Sequence, residues 1–282
     1  MNWGNSRVWR LAHGRELVLG PSAILMAILN ITPDSFSDGG RFAGEAERAV
    51  EEGLRLVVDG ASIIDVGGES TRPGAEPVSA EVEQTRILPV IEGLAKSGTC
   101  LISVDTYRAE TARLAVEAGA HIVNDVWGAQ RDPAIADVAA RTGAGLCLMH
   151  TGRERERLTD VIADQFHFLE RSLAIAAAAG VERDRIVLDP GFGFAKEAHE
   201  NLELMMRLTE LHALGSPLLV GTSRKRFVRG VLSGEPANAD VATAATSVLL
   251  RERGAAIFRV HDVATNRDAL QMADAALGAR RT

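Results

Sequence analysis

After Pro21, short apolar runs alternate with longer amphipathic stretches along the chain. This is the pattern of repeated strand–helix units feeding a parallel sheet. Eight runs read as strands, at 24–29, 62–66, 101–104, 121–123, 146–149, 186–188, 218–220 and 256–260, with helical stretches between them and after the last. Eight is the number of strands that closes a (β/α)8 barrel. Ahead of them, residues 8–19 alternate loosely around His13-Gly14 and read as a short hairpin placed to plug one barrel end. Ser79 followed by Glu81 and Glu83 reads as a helix cap with first-turn acids, and Gly143 and Gly180 stand where helices should stop. The expected fold is a single (β/α)8 TIM barrel over 1–282, with 1–22 as an N-terminal β-hairpin extension and no linker dividing two domains. An open doubly wound sheet would show a G-x-G-x-x-G turn after its first strand. Here the loop Asn30-Ile-Thr-Pro-Asp-Ser-Phe-Ser-Asp-Gly-Gly follows instead.

Composition narrows the reading. The 282 residues suit one barrel, and 46% hydrophobic content supports a large core. A net charge of −7 argues against nucleic acid or an anionic membrane as partner, so an anionic substrate must meet a local cationic pocket. Cys100 and Cys147 lie inside apolar segments, as inert core thiols do, and no disulfide is expected. The start lacks a basic region followed by an apolar stretch, and no run of about 18 apolar residues occurs. A cytosolic protein is therefore expected.

Each apolar run ends in a residue able to bind ligand or do chemistry: Asn30, Asp65, Asp105, Asn124, His150, Asp189, the Ser223-Arg224-Lys225 group, and Arg259 with His261. In a barrel these positions converge at the C-terminal mouth, where active sites of this fold lie. Asp105, Asn124 and Asp189 would face inward and demand polar partners, which a polar ligand could supply. Any one of them could instead cap a helix or hold a loop amide. Arg259 and His261 are spaced i, i+2, so both point to one side and make a two-pronged anion clamp. Lys225 lies between the strand-end Asp189 and Arg259, in a loop that can turn at Gly221. The loops after the first two strands are long, polar and punctuated by Gly and Pro, as substrate-covering loops are, and Phe36 in the first could cover an aromatic substrate. His150, His167 and His199 lack partners at metal-ligand spacing, so a structural zinc site is not expected.

The stretches Met26-Ala-Ile-Leu-Asn-Ile-Thr-Pro-Asp-Ser-Phe-Ser-Asp-Gly-Gly and Asp65-Val-Gly-Gly-Glu-Ser-Thr-Arg-Pro-Gly-Ala resemble the two signature loops of dihydropteroate synthases. Ser103-Val-Asp-Thr, Val123-Asn-Asp-Val, Leu148-Met-His, Leu188-Asp-Pro-Gly-Phe-Gly-Phe, Gly221-Thr-Ser-Arg-Lys and Arg259-Val-His-Asp match in order, over about 24–265. The resemblance implies a transferase of folate biosynthesis that joins 6-hydroxymethyl-7,8-dihydropterin pyrophosphate to p-aminobenzoate by an SN1-like route. It implies a pterin pocket of Asp105, Asn124, Met149, Asp189, Phe194, Gly221 and Lys225. A pyrophosphate site of Asn30, Thr71, Arg72, Arg259 and His261 would hold Mg²⁺ near Asn30. The p-aminobenzoate site would be walled by Phe36, Thr71, Pro73, Ser223 and Lys225. Asp105, Asp189, Lys225, Arg259 and His261 would act on the reacting pterin and its leaving group. A homodimer and sensitivity to sulfonamides are also implied, with the apolar stretch 242–250 as a candidate interface. Three departures stand out: Thr151-Gly-Arg-Glu-Arg-Glu-Arg replaces a Gly- and Pro-containing fifth loop, Ala195 stands where glycine is common, and Trp127 where a small residue is. The alternatives are a pterin-dependent methyltransferase, which would not need the pyrophosphate clamp, and a catalytically silent pterin-binding paralogue.

Overall fold

A computed structural model describes residues 6–32, 42–70, 76–232 and 239–279, with the backbone alone at 42 and 43. Strands β1 (Arg7–Arg10) and β2 (Glu16–Leu19) pair antiparallel, Arg7 opposite Leu19. The turn between them puts His13 at φ 57 and Gly14 at φ 66. Then follow β3 (Ile24–Asn30), α1 (Phe42–Val58), β4 (Ile63–Gly67), α2 (Ala80–Ser97), β5 (Leu101–Asp105), α3 (Ala109–Glu117), β6 (Ile122–Asp125), α4 (Ala134–Thr142) and β7 (Gly145–Met149). The chain continues through α5 (Val161–Ala178), β8 (Ile186–Asp189), α6 (Ala198–Met206), β9 (Leu219–Val220), α7 (Arg226–Val231), α8 (Ala239–Glu252), β10 (Ile257–Val260) and α9 (Val263–Ala279). The eight parallel strands run in the order β8-β7-β6-β5-β4-β3-β10-β9, and a parallel bridge between Leu188 and Leu218 closes the ring.

The alternating direction of side chains along a strand divides the interior into layers. Met26, Ile63, Leu101, Ile122, Cys147, Val187, Leu219 and Ile257 form an apolar floor at the N-terminal end of the strands. Their neighbours Ala27, Ile64, Ile102, Val123, Leu146, Leu188, Val220 and Phe258 belong to the larger core under the helices. One step of two residues above the floor, the inward side chains turn polar, at Asp65, Asn124, Asp189 and Arg259. The same period that fills the barrel thus delivers chemistry to its mouth.

The hairpin completes the floor. Trp9, Leu11 and Leu19 are buried against it, and the Trp9 indole N–H donates to the Arg185 carbonyl at 2.8 Å. Gly145 allows the approach, because a Cβ there would collide with Leu11 and come within 3.0 Å of the Trp9 ring. The expected cap appears as well: the Ser79 hydroxyl accepts from the Val82 N–H, and Gly98 and Gly143 end their helices in the left-handed region. Both cysteines are buried free thiols. Among the described residues no helix is long and apolar enough to cross a membrane.

If the hairpin belongs to the cooperative core, Trp9→Ala should cost about 3–5 kcal/mol, the usual loss for a buried aromatic. Denaturant unfolding measures it, and a loss below about 1 kcal/mol would show that the plug is separable from the barrel.

Candidate active site

The centre of the mouth is the Arg259 guanidinium. Its Nε donates to Asp65 Oδ2 at 2.6 Å and its Nη2 to Asp105 Oδ2 at 2.7 Å. Asn124 Nδ2 donates to the same Asp65 oxygen at 3.1 Å. Asp65 is fully buried, and among the described residues its Oδ1 has no hydrogen-bond partner. Burial raises the pKa of Asp105 against the pull of Arg259, with Asp65 adding like-charge repulsion. For Arg259, burial opposes the charge, but Asp65 and Asp105 outweigh it and hold the guanidinium protonated. Period two separates Asn124 from its neighbour Asp125, whose carboxylate turns away to accept from the Trp127 and Ala129 N–H groups at 2.8 and 2.6 Å.

On the other side stand Asp189, at the end of β8, and Lys225, just beyond β9. Asp189 Oδ1 accepts from the Gly191 N–H at 2.7 Å, and burial raises its pKa against Lys225. Lys225 donates to the Phe192 carbonyl and lies 4.6 Å over the Phe194 ring. Burial pulls its ammonium down to about 7, with Asp189 opposing. Phe194, Met149 and Val126 form a small buried apolar cluster that Trp127 joins. Gly221 faces Arg259, where a Cβ would meet the arginine Cβ at 3.7 Å. Arg224, next to Lys225, points elsewhere and pairs with Asp240 at 2.7 Å.

At β10 the clamp's second prong is set by Ser223. Its hydroxyl accepts from the His261 backbone N–H at 3.1 Å and lies 2.9 Å from His261 Nδ1. The hydroxyl thus holds His261 by both its backbone and its ring nitrogen. Asn30 ends β3 beside Gly67, and a Cβ on Gly67 would stand 3.6 Å from Asn30 Oδ1 and 3.7 Å from Asp105 Oδ2. These two oxygens therefore border one space above the glycine. Among the described residues no group of three or more His, Cys, Asp or Glu could hold a metal. Phe36, Thr71, Arg72 and Pro73 lie outside the described residues.

Several contributors had no role in the sequence reading. Asp65 was visible as a strand end, but only the fold shows that it holds both Arg259 and Asn124. Arg108 ties together both flanks of the second loop, donating to Glu69 at 2.8 Å and to the Val78 carbonyl at 2.7 Å. In the unusual fifth loop, Arg153 lies 4.6 Å over Phe194. Arg155 donates to Asp164 at 2.6 Å, and Asp164 in turn meets His150 Nε2 at 2.9 Å. Lys196 is buried and donates to His150 Nδ1 at 2.9 Å and to the Gly191 carbonyl at 2.8 Å. The changed fifth loop was legible, but not its pairing with the sixth. Trp127 stacks under Arg131 at 4.5 Å, which gives its bulk a place at the rim.

Comparisons with known proteins identify the relatives of this chain. The family model described as "Pterin binding enzyme" matches residues 26–261. The dihydropteroate synthase of Bacillus subtilis (strain 168) is 47% identical over 254 residues, covering 90% of this chain and 88% of that protein. A dihydropteroate synthase of Clostridium difficile, solved in the presence of pteroic acid, superposes with a TM-score of 0.88 at 43% identity, covering 92% of this chain and 98% of that one. The Xanthomonas albilineans dihydropteroate synthase with 4-aminobenzoic acid gives 0.86 at 40% identity, covering 95% and 98%.

The Asp164 cluster makes a pH prediction. Burial pushes this carboxyl up, but hydrogen bonds from His150, Arg155 and the Leu158 N–H outweigh it and hold Asp164 below the usual carboxylate range. A depressed carboxylate adds stability that is present above its unfolded value and is lost as pH falls toward the folded one. Stability should therefore drop below about pH 4. Asp164→Asn should be less stable at neutral pH and show a shallower acid loss in urea unfolding. Equal pH slopes in the two proteins would remove Asp164 from the acid response.

Proposed function

The chain belongs to the dihydropteroate synthase family of pterin binding enzymes, which are transferases, and from that premise we propose that it condenses 6-hydroxymethyl-7,8-dihydropterin pyrophosphate with p-aminobenzoate. The products are 7,8-dihydropteroate and pyrophosphate. The observation that carries the reading is the ring of Asp105, Asn124, Asp189 and Lys225 around Arg259 at one barrel mouth. A pterin presents adjacent donors along its amidine edge and a lactam beside them. Carboxylates that accept, an amide that gives and takes, and an ammonium that donates are matched to that edge. Met149 and Phe194 supply the apolar face for the ring.

In this mechanism the bond from the exocyclic carbon to pyrophosphate breaks first, and its electron pair leaves with the oxygen. Arg259 uses two of its N–H groups on Asp65 and Asp105, which leaves others for phosphate oxygens, since a guanidinium carries five. His261, two residues on from Arg259, adds its imidazole to the same side of the strand end. Preorganised donors of this kind stabilise charge as it develops on the leaving group. Asp105 and Asp189 stabilise the electron-poor pterin, and the arylamine then attacks the carbon and gives up a proton. Bound Mg²⁺ would supply further positive charge against the pyrophosphate, and Asn30 Oδ1, a hard oxygen donor beside Gly67, suits it. Ser223 and the stem of Lys225 wall the p-aminobenzoate side. Residues 1–282 work as one cytosolic domain. In a homodimer, Val241 and Leu249 on α8 would meet the second copy, since Thr243, Ala244, Ser247 and Leu250 of that helix are buried within the chain.

Purified protein given the dihydropterin pyrophosphate and Mg²⁺ should release pyrophosphate in step with dihydropteroate formation when p-aminobenzoate is added. Asp189→Ala should abolish pterin binding in calorimetry, while Arg259→Ala should mainly weaken the pyrophosphate substrate and turnover, by about 10²-fold or more. Pterin binding without any pyrophosphate release by the unaltered chain would favour a silent paralogue or a methyltransferase.

A further inference from the structure

A buried lysine without a carboxylate partner is an expensive arrangement, and among the described residues Lys196 has none. The residue is only 9% exposed, and its Nζ meets an imidazole nitrogen and a backbone carbonyl. Lysine is seldom buried this deeply unless something specific requires it.

The bonding fixes the partner's state. A charged Lys196 donates to His150 Nδ1 at 2.9 Å, so that nitrogen accepts and the ring proton falls to Nε2, 2.9 Å from Asp164 Oδ2; Arg155 Nη2, a donor only, stands 2.9 Å from the same Nε2 and gives its own bond to that Oδ2 at 2.6 Å. His150 is therefore neutral, in line with burial and the nearby Lys196 pulling it down to about 3. The chain Asp164–His150–Lys196 ends on the Gly191 carbonyl, and the Gly191 N–H holds Asp189 Oδ1 at 2.7 Å. His150 contributes again through its own backbone, whose N–H donates to the Asp189 carbonyl at 2.8 Å. Gly191 has φ 64, and a Cβ there would collide with the His150 carbonyl, so only glycine lets the two backbones approach this closely. Phe192, the next residue, offers its carbonyl to Lys225. Ala195 lies in the left-handed region at φ 51, where the chain turns before Lys196. Asn201 secures the turn, donating to the Lys196 carbonyl at 3.0 Å and accepting from the Gly193 N–H at 2.6 Å.

We propose that Lys196, steadied by neutral His150, is a positioning residue for pterin recognition: it pins the Gly191 peptide and so aims the Asp189 carboxylate and the Phe192 anchor of Lys225 at the pterin edge. The inference rests on the pterin-binding reading of this site and adds to it a residue that touches no substrate. It also gives the fifth loop a role, since Arg155 from that loop completes the Asp164 end of the chain.

Lys196→Met keeps the length of the side chain and removes its donors. In calorimetry the variant should bind the dihydropterin pyrophosphate about tenfold or more weakly, because a small misplacement of a binding group is costly. Its KM for p-aminobenzoate should stay within about threefold of wild type. A role confined to packing would leave pterin binding unchanged, and that result, in variant protein with a cooperative unfolding transition, overturns the proposal. Nitrogen-15 spectra of histidines in the wild-type protein test it without any variant. They should show His150 neutral and protonated on Nε2 between pH 6 and 8; an Nδ1-protonated or imidazolium form would overturn it. Wild type that binds no pterin would sink the proposed function itself, whereas wild type and Lys196→Met binding equally would sink this inference alone.

Discussion

A single guanidinium placed between two buried carboxylates is the constraint around which the barrel mouth is built. Asp65 and Asp105 stand on neighbouring strands, and without Arg259 their charges would face each other in a poorly solvated space. Arg259 reaches them from β10, across β3, and so braces four successive strands of the ring. A buried pair is seldom a good way to add stability, because its desolvation offsets most of the Coulomb gain, and apolar residues of similar volume often do as well. Removing one partner is costly all the same, at about 3–5 kcal/mol. A brace of that kind makes physical sense where its charges are used, as they would be if the proposed pyrophosphate substrate is held by this guanidinium.

The rest of the site follows from the same low-dielectric setting. Lys196 and Lys225 are both pulled to about 7 by burial, and each is opposed by Asp189. The carboxyls of Asp105 and Asp189 are raised by the same cause. Groups of both signs have thus moved toward neutrality, which is the condition in which a neutral heterocycle with several donors and acceptors can compete with their mutual pairing. The apolar cluster of Val126, Met149 and Phe194 keeps that setting dry on one side.

Most of the architecture was legible in the sequence because strand spacing and the period of two are local signals. The eight apolar runs became the eight barrel strands, with shifts of a residue or so at their ends, as at β4, which runs from Ile63 to Gly67. The hairpin was legible from its turn, and its placement as a plug follows from Trp9 and Leu11 having nowhere else to bury. Strand ends such as Asp105, Asn124 and Arg259 could be named because a barrel sends every strand end to one face. Lys196, Asp164 and Arg108 could not, since each acts through a partner on another loop or helix and carries no periodic signal of its own. Ala195 looked like a departure from a glycine position, and its left-handed backbone shows that the position keeps the conformation glycine favours.

The most direct test of the brace is a double-mutant cycle between Asp65 and Arg259, using Asp65→Asn, Arg259→Gln and the pair together, read in kcat/KM for the dihydropterin pyrophosphate. If Asp65 acts by holding Arg259, the two losses should overlap, with a coupling energy of about 1–3 kcal/mol. Losses that add to within about 0.5 kcal/mol would mean that the two residues act independently, and would contradict the account.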